Sequence, residues 1–211
     1  MGFFITFEGI EGSGKSTQME MLKRYLEGKG ENVLTVREPG GTLLGEKVRA
    51  VLLISGDEPI GPMAELFLYE ACRAQIVSNV IKPALESGAT VICDRFTDST
   101  LAYQGYARGL DIEAVRYMNK SATGGLVPDL TILIDLDPEA GLKRALARIK
   151  EKKGALEDRF EKESILFHEK VRDGYLLLAG EEPGRIKVVD GGREIPVIRG
   201  DICVIIDKAM V

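Results

Sequence analysis

The chain has 211 residues, 45% hydrophobic and 29% charged, with a formal net charge of −5. That composition suits one folded domain with a sizeable core, and a net negative chain without a long basic tract argues against a nucleic-acid polymer as partner. No apolar run approaches the length of a membrane span, and no signal-like segment opens the chain. The scattered cysteines Cys72, Cys93 and Cys203, none in a C-x-x-C pair, fit the reduced thiols of a cytoplasmic protein.

In chain order, the apolar run 3–7 predicts a first strand. It leads into Gly9-Ile10-Glu11-Gly12-Ser13-Gly14-Lys15-Ser16, a full G-x-x-x-x-G-K-[ST] phosphate loop, followed by Thr17 and a helical run at 17–26. Glycines let successive backbone N–H groups point at one anion, and the helix start adds the positive end of its dipole. Lys15 supplies a mobile charge for the outer phosphates, and Ser16 offers a hydroxyl to Mg²⁺.

Further strands are predicted at 32–37, 89–93, 130–136 and 185–189, each short and almost continuously apolar, as strands covered on both faces should be. Helical patterns occupy 63–85, 138–150, 158–178 and 195–210. Strands alternating with helices predict an α/β fold, a five-stranded parallel sheet flanked by helices in three layers. Ligands then collect at the carboxyl ends of the strands, which places the chemistry at 8–16, 37–42, 94–99 and 135–137. The charge-dense tract 144–170 reads by composition as a solvated helix face, with Gly154 as a hinge inside it.

Three kinds of phosphate-loop protein compete for this pattern: a switch GTPase, a motor or transport ATPase, and a small-molecule kinase. A switch GTPase needs N-K-x-D, and the near match Asn119-Lys120-Ser121-Ala122 lacks the aspartate. A motor or transport ATPase calls for a longer chain or a strand ending in adjacent acids. The third strand instead ends Cys93-Asp94-Arg95-Phe96, and an Asp beside an Arg at a strand end suits a site with a second anionic ligand. Asp94 can act on metal-bound water or an acceptor, and Arg95 can fork onto a phosphate.

Several segments together resemble the thymidylate kinase family. They are Phe7-Glu8-Gly9-x-Glu11-Gly12-x-Gly14-Lys15-Ser16-Thr17, Arg37-Glu38-Pro39-Gly40-Gly41-Thr42, Asp94-Arg95-Phe96 with Ser99-x-x-Ala102-Tyr103-Gln104-Gly105, and Pro128-Asp129-Leu130-Thr131 leading into Asp135-Leu136-Asp137-Pro138. The resemblance runs from residue 3 to about 190. It implies a nucleoside-monophosphate-kinase-like P-loop domain that transfers the ATP γ-phosphoryl group to dTMP with Mg²⁺, giving dTDP and ADP. Because two polyanions must meet in line, catalysis is mostly positioning and charge neutralisation.

By the same resemblance, Arg95 and Arg49 clamp the dTMP phosphate, and Glu38 belongs to the dTMP site. Tyr69, where the family commonly has Phe, stacks on thymine, and Arg73, four residues on, hydrogen-bonds a ring carbonyl. Phe67, off that face, reads as core. Ser99 and Gln104 offer hydrogen bonds to the base edge, and Tyr103 crowds the sugar 2′ position. Glu11 would face the acceptor sugar hydroxyl or a metal ion. Residues 9–17 bind ATP, and Mg²⁺ is held by Ser16 and Asp94, partly through water. The phosphate loop carries no arginine at 10–13, so the catalytic arginines belong to a lid at about 144–160, with Arg148 and Arg159 as candidates and Arg144 third. The resemblance also implies a homodimer. His168, the only histidine, is expected exposed or partly buried and without a catalytic role.

Overall fold

The computed structural model describes residues 2–54, 58–151 and 159–210. Five strands, β1 (Phe4–Glu8), β2 (Val33–Arg37), β3 (Thr90–Asp94), β4 (Leu130–Asp135) and β5 (Ile186–Asp190), form a parallel sheet in the order β2-β3-β1-β4-β5. β1 is buried throughout because helices cover both of its faces. Its side chains alternate. Ile5 and Phe7 pack with Leu22 and Leu26 of α1 (Lys15–Glu27) and Ile198 and Ile202 of the C-terminal helix. Phe4, Thr6 and Glu8 face the other way, and this parity sends the Glu8 carboxylate toward the helices that build the site.

The chain leaves β1 for β2 and β3 on one side and later reaches β4 on the other. The reversal puts a crevice beyond the end of β1, where Phe7 stands in register with Asp94 of β3. α1 opens into this crevice. Its N-cap, Gly14, has φ +102 and offers no side-chain cap, so the first amides of the helix remain available to an anion. Gly12 is required for contact as well as for its φ of +72. A Cβ there would lie 2.1 Å from the carbonyl oxygen of Gly141.

Helices α2 (Leu43–Leu53), α3 (Pro62–Ile76), α4 (Lys82–Glu86), α5 (Thr97–Thr100), α6 (Ile112–Thr123), α7 (Pro138–Glu151), α8 (Ile165–Glu181) and α9 (Ile195–Ala209) complete the described fold. The single helix expected over 63–85 is broken by a π-helical segment, Val77–Ile81, ahead of Pro83. A proline has no N–H for the regular ladder, and the widened turn absorbs that loss. A second π-helical segment, Leu101–Ala107, continues α5 and carries Tyr103 and Gln104. The helix expected over 158–178 begins later, because Ser164 caps it by accepting from Phe167 N at 3.3 Å. Residue 158 lies outside the described residues. No helix among them is long and apolar enough to cross a membrane.

Candidate active site

The phosphate loop is closed by its own lysine. Lys15 Nζ donates to the carbonyls of Gly9 and Ile10, both at 2.9 Å, and reaches Ser13 Oγ at 3.4 Å. Burial pushes the ammonium down to about 8, and the Arg95 charge adds to this; Asp94, Glu11 and Glu8 oppose it. A phosphate in the loop would supply the missing counter-charge. Ser16 Oγ donates to Asp94 Oδ2 at 3.4 Å, while Asp94 Oδ1 is buried without a partner among the described residues.

Beside the loop lies a cluster organised by Glu8. Its Oε1 accepts from Phe96 N at 2.7 Å, and its Oε2 accepts from Ser99 Oγ at 2.6 Å and Tyr175 OH at 2.7 Å. With their hydrogens directed at Glu8, both hydroxyl oxygens are free to accept from Arg95 Nη1, at 3.2 and 3.1 Å. Burial, then the nearby Asp98, raises the Glu8 carboxyl to about 7. The Arg95 backbone is in the left-handed region, φ +68, alone among the described non-glycine residues. Its guanidinium lies 4.9 Å from the Tyr103 ring centroid, and its Nη2 donates to Glu11 Oε1 at 3.0 Å.

Glu11 is the meeting point of three partners. Besides Arg95, it accepts from Tyr103 OH at 2.6 Å, and His168 Nδ1 lies 3.3 Å from its other oxygen. Burial alone would raise this carboxyl, but Arg95, His168, Lys15 and Tyr103 together hold it well below the usual carboxylate range. His168 departs from expectation: it is 1% exposed, and its Nε2 faces the Phe160 carbonyl at 3.0 Å. The helix turns this one charged-segment residue inward, where it ties the chain after 158 to the phosphate loop.

A cavity of about 510 Å³ joins these parts. Lys15, Ser16 and Thr17 line it together with Asp94 and Arg95, and so do Glu38, Arg49, Tyr69, Ser99, Tyr103 and Gln104. Tyr69 is half-buried and carries no hydrogen bond among the described residues, which leaves its ring as an apolar wall. Arg49 Nη1 donates to the Pro39 carbonyl at 2.8 Å. Glu38 is buried, and burial raises its carboxyl to about 7 against the pull of Arg73.

Arg73 does not reach this cavity, contrary to its expected contact with a base carbonyl. It is 1% exposed, and its guanidinium is surrounded by acceptors: Glu38 at 2.9 Å, Glu70 at 2.9 Å, Thr100 Oγ1 at 2.8 Å, Asn119 Oδ1 at 2.7 Å and the Phe96 carbonyl at 3.0 Å. A cation removed from water must satisfy its donors locally, and here five groups do so. Phe67 is also corrected, from core to 56% exposed. Of the strand-end acids, Asp135 is held bidentately by Arg172 at 2.7 and 2.8 Å and Asp137 caps Ala140 N at 3.1 Å, so neither lines the cavity.

The three candidate lid arginines separate. Arg148 lines the cavity, half exposed, 3.9 Å from Glu161. Arg159 lines it too, but its guanidinium bonds the Leu52 carbonyl and lies 2.6 Å from Glu65. Arg144 donates to the Gly191 carbonyl at 3.3 Å, away from the cavity. Residues 152–158, the middle of the expected lid, lie outside the described residues.

Sequence reasoning placed Glu8 in the strand-end segment 8–16 without giving it a role, and missed Tyr175 and Glu65 as members of the site. A signal existed for Glu65, which precedes Tyr69 by four and so shares its helix face. None existed for Tyr175, which is 167 positions from its partner Glu8.

A phosphate loop on this sheet, sharing one cavity with Arg49, Arg95 and Arg148, defines a P-loop kinase that phosphorylates a small acceptor. The comparisons specify which. The family model for thymidylate kinase matches residues 7–202. A thymidylate kinase of Citrifermentans bemidjiense is 57% identical over 195 residues, 92% of this chain and 87% of that one. One from Geotalea daltonii is 56% identical over 200 residues, 94% of each. The crystal structure of thymidylate kinase from Ehrlichia chaffeensis matches with a TM-score of 0.76 at 34% identity, covering 97% of this chain and 98% of that chain. The chain belongs to the thymidylate kinase family.

Proposed function

We propose that the cavity between Lys15 and Gln104 is where this kinase brings its two nucleotides together. The reaction moves the γ-phosphoryl group of ATP to dTMP, giving dTDP and ADP. A dTMP phosphate oxygen forms the new P–O bond as the bond to the ADP oxygen breaks. The observation that carries the reading is that one cavity is lined both by Gly12, Lys15 and Ser16 of the phosphate loop and by Arg95, Tyr69 and Gln104.

In this assignment the amides of residues 9–17 cradle the ATP phosphates and Lys15 leaves the loop carbonyls for them. Arg95 and Arg49 grip the dTMP phosphate, with Glu11 and Glu8 keeping Arg95 aimed. Tyr69 forms the base platform, Ser99 and Gln104 address polar edges, and Glu38 and Tyr103 border the sugar. Arg148 is the lid arginine best placed for ATP. Arg144 and Arg159 are secondary, within a lid spanning 144–160 of a single domain. Closure of that lid would exclude water.

Mg²⁺ fits the donor set at Ser16 Oγ and Asp94, whose unpartnered Oδ1 is an acceptor of the kind a hard cation prefers. No cluster of three His, Cys, Asp or Glu groups suited to a metal occurs among the described residues, so most ligands would be phosphate oxygens and waters. When bound, the ion would neutralise charge on the transferring group. The exposed Leu43, Val51, Met63 and Phe67 on α2 and α3 support a homodimer through these helices. Three unpaired thiols support a cytoplasmic location.

The test is ADP release with each nucleoside monophosphate, with and without Mg²⁺. Release dependent on dTMP and on Mg²⁺ is expected. ATP bound without acceptor-dependent release would overturn the assignment.

A further inference from the structure

Glu65 is fully buried in the first turn of α3, where a carboxylate is expensive to place. Three side chains converge on it. Arg108 Nε lies at 3.3 Å from Oε1, Arg159 Nη2 at 2.6 Å from Oε2, and Gln104 Nε2 donates to Oε1 at 2.7 Å. The first two are charged and compensate its charge. The third is not, and its geometry has a chemical consequence.

A carboxylate offers only lone pairs, so the end of the Gln104 amide that faces Glu65 must be the NH₂. The other end, Oε1, has no partner among the described residues, and Gln104 lines the cavity. The amide is therefore not a free rotor that can donate or accept as the ligand requires. It presents an acceptor.

We propose that Glu65 is a specificity-determining positioning residue, which locks Gln104 so that its oxygen reads a ring N–H of the acceptor base. This rests on the assignment of the cavity above and deepens it. The imide of thymine or uracil carries a hydrogen at N3, and cytosine carries a lone pair there. A fixed acceptor welcomes the first and leaves two lone pairs opposed in the second. Tyr69, one turn along the same face of α3, would supply the stacking surface, which is indifferent to that distinction.

Glu65→Gln removes the lock, since a glutamine can accept or donate and lets Gln104 turn over. The exchange Glu65→Gln with Gln104→Glu restores it: the amide introduced at position 65 donates, the carboxylate introduced at position 104 shows an acceptor to the cavity, and the charge beside Arg108 and Arg159 is kept. The readout is kcat/KM for dTMP divided by that for dCMP, with ATP as donor and thermal melting as a check on folding. E65Q should lower the ratio by about 10- to 100-fold, the scale of one buried hydrogen bond made or opposed, and the exchange should return it to near the wild-type value. A folded E65Q with an unchanged ratio overturns the proposal, as does an exchange variant that prefers dCMP. If E65Q does not fold, the exchange variant decides alone, because an amide nitrogen facing the base would make the carboxylate at position 104 destroy the dTMP preference. Wild-type protein that fails to turn over dTMP would sink the underlying assignment instead.

Discussion

Arg95 carries two separable burdens, a strained backbone and a charged grip, and substitutions divide them. At an ordinary position glycine is less stable than alanine by about 0.5–1 kcal/mol, through the entropy of the unfolded chain. At φ +68 the order should reverse. A side chain in the left-handed region costs about 1–2 kcal/mol, which glycine avoids. Arg95→Gly should therefore be more stable than Arg95→Ala by up to about 1 kcal/mol, or roughly 2–4 °C in a chain of this size. Both variants lose the donors to Ser99, Tyr175 and Glu11, so both should melt below wild type. Function should not show that reversal. Two charge-assisted hydrogen bonds to a phosphate, each about 1.5–3 kcal/mol, correspond to a fall of about 10²- to 10⁴-fold in kcat/KM for dTMP in either variant. Thermal melts and steady-state kinetics on the same preparations give both numbers. Arg95→Ala melting above Arg95→Gly would refute the strained backbone, and near-normal kcat/KM in either would refute the phosphate grip.

Arg73→Ala should cost about 3–5 kcal/mol of stability, because Glu38 and Glu70 are left buried without their cation. A variant that melts normally but loses dTMP binding alone would return Arg73 to base recognition. For Lys15, the native value of about 8 lies below the ordinary 10.5, so the free protein binds fewer protons than the unfolded chain between these limits. Its stability should rise with pH through that window. ATP, by restoring the ammonium, should take up roughly half a proton or more at a pH of about 8.5, read by calorimetry in buffers of different ionisation heat; zero uptake would contradict the geometry. Glu8 has the opposite sign. Burial raises it from 4.5 to about 7, so the native state holds the extra proton and stability should decline as pH rises through that range. Glu8→Gln should flatten the decline, and an unchanged slope in the melting profile would count against it.

Much of this was readable in the chain because it is local. The five strands are short runs with the composition of buried parallel strands, and each structural strand begins and ends within two residues of its predicted limits. The phosphate loop is contiguous, and Asp94 with Arg95 at a strand end is contiguous too. What escaped is long-range. Arg73 finds Glu38 and Asn119 at separations of 35 and 46 residues, and no spacing announces that a guanidinium will meet enough acceptors to be held outside the cavity. His168 sits among charged residues, yet the helix register turns it to Glu11, 157 positions earlier. Phe67 failed in the opposite direction, since hydrophobicity alone does not say which helix face meets the core. The π-helical segments rephase their helices; Pro83 marks the first, while no periodicity marks the one that carries Tyr103 and Gln104.

The most direct check is a crystal structure of the chain with ADP and dTMP bound together. The ADP phosphates should lie on the amides following Gly9, the dTMP phosphate within hydrogen-bonding distance of Arg95, and the thymine ring against Tyr69 with N3 toward Gln104. A dTMP molecule seated elsewhere, or one whose phosphate points away from the loop that holds ADP, would contradict this arrangement.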